Sequence, residues 1–437
     1  MKNKYSLISF FAILAISLSI RAYYIQHPSN HKNFCLTTFD AFGYYMYLPA
    51  IFIYKDVRQM AWLPAIDSQY AVTGGAAYQT VVAKNGNHVG KFLGGVALMQ
   101  MPFFIVVHAF AHFNGSPSDG FSAPYQYAIF IAAFFYTFLG LYYLRRFLLL
   151  YFEDNTVALT LIALTLSSNW IQYLAIDSGQ SHIYIFPLYV FMLWFSKQWH
   201  ENPTKKDAFM VGFIIGLATI CRPTEGVMLF IPLLWHMNNK AITKAKWALV
   251  KKNIAHVWIA MGAGLLAISP QLIYWKYTSG QFIFDVGSKW FFLNPYFRVL
   301  FGFEKGWFVY TPITVLFALG LFFIKKYPFY KSVLTFTLLN TYIIIAWSDW
   351  HYGGSYSCRA LVQSYAIFAL PLAVVVGYCI KSRWRVAFYA LFFYLLTVNL
   401  FQIYQYNAGI LRYDENSFEY YKSIYLNTNA QPYFRNE

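Results

Sequence analysis

Apolar runs of about 18 residues or more recur along the whole chain, and a run of that length is the signature of a membrane-spanning helix. A bilayer core offers no water to the backbone, so such a run must satisfy its own N–H and C=O groups as a helix. The runs read as spans at 5–25, 124–144, 156–175, 182–199, 207–221, 224–237, 256–277, 307–324, 330–347, 359–380 and 384–405. That predicts an all-α polytopic membrane protein with about eleven transmembrane helices near the ~20 residues a bilayer requires, two of them short. Composition agrees: 59% of the 437 residues are hydrophobic and 11% charged, against about 25% charged in soluble domains.

Lysine and arginine in the short loops set the expected orientation. With the N-terminus inside, 18 of the 33 basic residues fall on the inner side, including Arg145, Arg146, Lys205, Lys246 and Lys381. The acids beside them are Glu153, Asp154, Glu201 and Asp207. The C-terminus is then expected outside. One segment tests the parity. Residues 92–113, FLGGVALMQMPFFIVVHAFAHF, also look like a span, but counting them would move Arg145, Arg146 and Lys205 outside. Gly94, Gly95, Pro102, His108 and His112 suit a helix lying along the outer surface. The expected organisation is a transmembrane domain over 1–405, a first outer loop over 26–123 with interfacial helices, and a short outer tail over 406–437. The run from Tyr5 to Arg21 resembles a signal peptide without an A-x-A cleavage site, and reads as a retained anchor.

Several function classes drop out. The formal charge of +16 is dispersed rather than gathered into a block, which argues against nucleic acid. No Walker loop or G-x-G-x-x-G is present. The four cysteines form no C-x-x-C, and a Cys35–Cys358 disulfide is left open. His27, His31 and His88 match no metal-ligand spacing; a divalent cation is left open as a cofactor.

What remains is a set of polar residues on the outer side. Asp40 follows the first span in CLTTFDAFGYYMYLPA, with Tyr44 a turn later, and Gly43 there allows close backbone approach. Asp177 lies in a short loop, YLAIDSGQSHIYIF, followed by His182. Lys91 opens the 92–113 segment. Arg222 ends a span in TICRPTEG. Lys305 precedes one in FEKGWFVYTP. Asp349, His351 and Arg359 share SDWHYGGSYSCRAL. Ionisable groups at a membrane edge are costly unless they have a role. Cations there can hold a lipid phosphate, and a carboxylate can take a proton from a nucleophile. Each residue also has a plain structural reading: Asp40 and Asp177 as helix caps, the cations as interfacial anchors, Asp349 and His351 as a loop-fixing pair.

The order of these features resembles the GT-C glycosyltransferases, the group of the protein O-mannosyltransferases and the lipid A aminoarabinose transferase. The shared pattern is an acid after span one, an outer interfacial helix opened by Lys and followed by Pro, and a second acid between spans three and four. The resemblance implies a GT-C-like bundle in a bacterial inner membrane. It implies sugar transfer from a polyprenyl-phosphate donor to an extracytoplasmic glycan, lipid or protein acceptor. Asp40 then maps onto the base, Asp177 onto the second catalytic acid, and Lys91 onto a donor-phosphate contact, joined by Arg222, Lys305 and Arg359. Tyr44, His182, Asp349 and His351 would line the substrate cleft. Asp40 departs from the pattern in standing without a second acid beside it. The rival expectation is a transporter or flippase of lipid-linked sugars.

Overall fold

The computed structural model describes residues 3–27 and 35–433. His31 and residues 28–34 of the expected outer loop, with 434–437 of the expected tail, lie outside the described residues. A helical bundle forms from Lys4–Gln26, Ala123–Leu148, Asp154–Leu166, Ser181–Glu201, Lys205–Cys221, Tyr365–Lys381 and Arg385–Asn407. At its centre runs the apolar stretch Arg359–Lys381, 89% buried, whereas Ile254–Ser279 at the periphery is only 17% buried. An apolar helix that exposed is stable only where lipid replaces water.

Six helices among the described residues are long and apolar enough to cross a membrane: five fall on the eleven expected spans, and the sixth, Gly95–Phe113, is the segment expected to lie along the surface. Three of the remaining expected spans are interrupted, each for a local reason. The expected 156–175 span divides into Asp154–Leu166 and Trp170–Ala175. Ser168 Oγ turns back onto the Leu164 carbonyl at 2.5 Å, and Asn399 Nδ2 donates to the Leu166 and Ser168 carbonyls at 2.8 and 2.9 Å. The freed backbone acceptors thus find a partner inside the bundle. The 307–324 span divides into Trp307–Tyr310 and Thr314–Gly320 around Pro312, which can neither donate nor fit a helix interior. The 224–237 span is a 3₁₀ turn, Pro223–Leu229, followed by Phe230–Leu234. Lys246 closes that end by donating to the carbonyls of Pro232, Leu233 and Trp235 at 2.9, 2.6 and 2.9 Å.

The segment after the first helix forms a second, smaller core. It contains two six-residue helices, Asp40–Tyr45 and Tyr47–Phe52, and an antiparallel hairpin of β1 (Thr80–Val82) and β2 (His88–Gly90), which the helical reading did not anticipate. Helix Gly95–Phe113 is apolar enough to span. Its Ala97, Phe104 and Ala111, seven residues apart and so on one face, pack into this smaller core with Phe42, Tyr45 and Trp62. Both its flanks meet the same short stretch: Tyr47 donates to the Phe92 carbonyl and Tyr45 to the Gly120 carbonyl. The hairpin turn caps the peripheral helix, with Asn85 and Asn87 each donating to Thr278 O at 2.8 Å.

The bundle's two ends differ. At one end Asp154 accepts the Tyr5 and Ser6 amides at 2.8 and 3.0 Å, Arg145 binds Ser6 Oγ at 2.8 Å, and Lys381 pairs with Glu153. The other end carries Asp40, Arg222 and Arg359.

Candidate functional site

Asp40 opens its helix behind Phe39, whose φ of 55° is left-handed and costly for a bulky residue. Two bonds hold it there: Phe39 N–H donates to Val72 O at 3.0 Å, and Gln79 Nε2 donates to Phe39 O at 3.2 Å. Arg359 arrives from the far end of the chain, at the head of the 3₁₀ turn Arg359–Ser364, after Ser357 with φ 55°. Both segments are thus bent sharply just before the residue they deliver.

The two meet. Arg359 Nη2 donates to Asp40 Oδ2, and Tyr78 donates to Asp40 Oδ1 at 2.6 Å, so both carboxylate oxygens are engaged. Arg359 Nη1 reaches Gln180 Oε1 at 3.3 Å. The Asp40 side chain keeps 19% exposure and that of Arg359 10%, which leaves the pair sheltered but reachable. Burial and the Asp40 charge push the Tyr78 phenol well up, so Tyr78 remains a neutral donor.

Around this pair the structure gathers several of the residues singled out by sequence. Tyr44 is buried and accepts from Ser181 Oγ at 3.0 Å. Burial raises its phenol, while Arg222 and Arg359 pull it the other way. A Cβ on Gly43 would lie 2.1 Å from the Phe92 ring, so the helix can approach the chain beside Lys91 only with glycine there. Arg222 Nη1 lies 3.1 Å from His182 Nδ1. Lys305 is buried, donates to the Gly353 carbonyl, and neighbours Arg359. Burial first, then the like charge of Arg359, pushes its ammonium down to about 8.

Other expected site residues sit differently. The Asp177 loop is pressed against Asp40's segment, since a Cβ on Gly179 would fall 2.2 Å from Leu36 O. The Asp177 carboxylate itself accepts from Gln172 Nε2 at 2.8 Å, and Gln172 in turn accepts from Asn407 at 2.7 Å. Lys91 is tied by its backbone, N–H to Gln79 O at 2.9 Å, and its ammonium forms no hydrogen bond or ion pair among the described residues. Asp349 and His351 pair with each other at 3.0 Å, both about half exposed. Cys35 and Cys358 are free thiols. A divalent cation does not fit this donor set: no group of three His, Cys, Asp or Glu forms among the described residues, and Asp40 already faces a guanidinium.

Sequence reasoning missed Tyr78, Gln180, Gln363 and Glu225. Glu225 alone left a signal, an acid inside an apolar run. It is fully buried and accepts from Tyr189 and, at 3.0 Å, from Gln363 Nε2. Gln363 Oε1 lies 2.9 Å from His182 Nδ1.

The site is therefore a cationic cluster in which Arg359 holds Asp40, Lys305 neighbours Arg359, and Arg222 lies between His182 and the buried Glu225. It can bind an anion and orient a neutral nucleophile beside Asp40.

No family model matches the chain, and no curated protein matches it by sequence. Solved structures do match. The archaeal oligosaccharyltransferase AglB from Archaeoglobus fulgidus, in complex with an inhibitory peptide and a dolichol-phosphate, aligns with a TM-score of 0.52 at 12% identity. The alignment covers 99% of this chain and 61% of that one. The apo form of the Archaeoglobus fulgidus oligosaccharyltransferase aligns with a TM-score of 0.50, also at 12% identity, over 99% and 62%. The chain thus spans about three fifths of the length of these structures. Nearly all of this chain follows the fold of an archaeal oligosaccharyltransferase, a GT-C-type architecture.

Proposed function

We propose that the chain is a membrane glycosyltransferase that moves a sugar from a polyprenyl-phosphate donor to an acceptor on the outer side of the membrane. The observation that carries this reading is the Asp40–Arg359 pair, made across 319 residues in a cluster that also includes Arg222 and Lys305. The AglB structure contains a dolichol-phosphate and a peptide, which supports a lipid-linked phosphate as donor and makes a peptide one acceptor class beside glycan and lipid.

In this reading the donor phosphate lies among Arg222, Lys305 and Arg359. Binding draws Arg359 from Asp40 and frees one carboxylate oxygen. The acceptor hydroxyl or amine hydrogen-bonds to that oxygen and attacks the anomeric carbon from the face opposite the phosphate. The new bond to the sugar forms as the carbon–oxygen bond to phosphate breaks, and the nucleophile's proton passes to Asp40. The phosphate leaves as an anion, so the cations supply most of the stabilisation. Asp177 would orient the acceptor through its loop, and Lys91 would contact the donor only after its side chain turns inward.

The inner-side excess of Lys and Arg supports a cytoplasmic N-terminus and an outer Asp40 face in an inner membrane. The same charge count favours helix Gly95–Phe113 lying along the outer surface, where Ala97, Phe104 and Ala111 pack into the smaller core while the helix also packs on Ala123–Leu148. A transfer assay with purified protein and a polyprenyl-phosphate sugar tests the proposal. Asp40→Asn keeps shape and should fold, yet transfer should fall by about 10²-fold or more. The Asp40 side chain caps no helix, since Phe39 is the N-cap, so near-normal turnover by folded Asp40→Asn protein would leave Asp40 a structural tie to Arg359 and Tyr78.

A further inference from the structure

Glu225 is the most deeply buried acid near the Asp40 cluster, with no exposed surface. A carboxylate in such a place is expensive unless it is paired or hydrogen-bonded. Its described side-chain partners are donors, the Tyr189 hydroxyl on Oε2, Gln363 Nε2 on Oε1 at 3.0 Å and the neighbouring Thr224, and the Arg222 charge also acts on it directly. This arrangement fixes the orientation of the Gln363 amide. With Nε2 committed to Glu225, Oε1 must face His182 Nδ1, at 2.9 Å.

His182 Nδ1 has a second neighbour, Arg222 Nη1, at 3.1 Å. One nitrogen cannot serve both. Carrying a proton, Nδ1 donates to Gln363 Oε1 and has no lone pair for Arg222. Lacking one, it accepts from Arg222 and leaves two acceptors facing each other across 2.9 Å. The Gln363 orientation imposed by Glu225 therefore favours the Nδ1–H tautomer. That tautomer releases the Arg222 guanidinium, which can only donate, toward an anion beside it.

We infer that Glu225 is a positioning residue for phosphate recognition: acting through Gln363 and His182 and by its own nearby charge, it poises Arg222 to bind the phosphate of the donor. The inference rests on the reading of Arg222 as a donor-phosphate contact. Without the Glu225 charge, Gln363 can invert and donate to Nδ1, and the order that frees Arg222 is lost. Glu225 touches no substrate in this scheme.

The test is direct binding of a polyprenyl phosphate to the purified full chain in detergent micelles, comparing wild type, Arg222→Ala, Glu225→Gln and the double variant. Arg222→Ala and Glu225→Gln should each weaken binding about tenfold, and the double variant should bind no more weakly than Arg222→Ala alone. A purely structural Glu225 would instead add its loss to that of Arg222. Glu225→Gln binding like wild type beside a weakened Arg222→Ala, or additive losses, overturns the inference and leaves the donor reading standing. Arg222→Ala binding like wild type overturns both. Should Glu225→Gln fail to fold, Tyr189→Phe, which keeps the ring and removes one donor from Glu225, takes its place in the same cycle. A few-fold loss that vanishes on the Arg222→Ala background is then expected, and an additive loss or none overturns the inference.

Discussion

At the Asp40 end of the bundle, Arg359 and Lys305 are 9% and 4% exposed and bind groups 319 and 48 residues away. At the opposite end, Lys381 and Glu153 pair while 59% and 67% exposed, and Lys197 pairs with Glu201 one helical turn away. Charges of the second kind are hydrated and worth little individually, about 0–1 kcal/mol per pair. Collectively, charges of this kind are what orient a polytopic chain across a membrane. Charges of the first kind have lost water and must find partners, which ties distant segments together and leaves a strong local field. A membrane protein can use the same side chains as ballast on one face and as chemistry on the other.

The largest break in this contrast should come from Asp40. Beyond the loss of transfer in Asp40→Asn, Arg359→Ala should cost both stability and activity, because it strands a sheltered carboxylate. Thermal unfolding and turnover should both fall, whereas Lys381→Ala at the other end should leave turnover within about twofold. Equal effects at the two ends would erase the distinction.

Donor recognition comes next. Arg222→Ala and Lys305→Gln should each weaken apparent donor affinity about tenfold or more, since charge-assisted contacts contribute roughly 1.5–3 kcal/mol. Titrating donor at fixed acceptor measures this, and unchanged donor dependence in both variants would make them anchors.

Lys305 adds a pH signature. Its pKa is lowered from an ordinary 10.5 to about 8 in the fold. The unfolded chain therefore holds that proton longer, and stability should rise as pH climbs from about 8 toward 10.5. Donor affinity should move the other way, weakening as the ammonium is lost above about 8. Opposite trends in unfolding temperature and donor affinity, both absent in Lys305→Gln, would sharpen the comparison; parallel trends would contradict it.

The smallest effect is expected at Asp349 and His351. They lie on the Asp40 side but pair with each other, half exposed. Asp349→Asn should change stability by less than about 1 kcal/mol and turnover by less than twofold. A loss near that of Asp40→Asn would show that position along the membrane, rather than burial and pairing, decides which acids matter.

Hydropathy was enough to read the membrane class, because a span needs a long apolar run wherever it sits in the fold. Charge asymmetry was equally legible, because it depends on counts rather than contacts. The acid after the first helix and the arginine of SDWHYGGSYSCRAL were visible as candidates, but nothing in their spacing joined them. Asp40 and Arg359 meet because Phe39 and Ser357 bend the chain out of helical geometry just before each, and such bends follow from packing rather than propensity. The breaks at Ser167–Asn169 and Pro312 show the same dependence. Asn399, more than 200 residues away in the chain, satisfies the carbonyls that make the first break tolerable. Glu225 was readable as an odd acid in an apolar run. Its reach to His182 through Gln363 belongs to the tertiary structure, because a buried carboxylate takes its meaning from the donors that the fold brings around it.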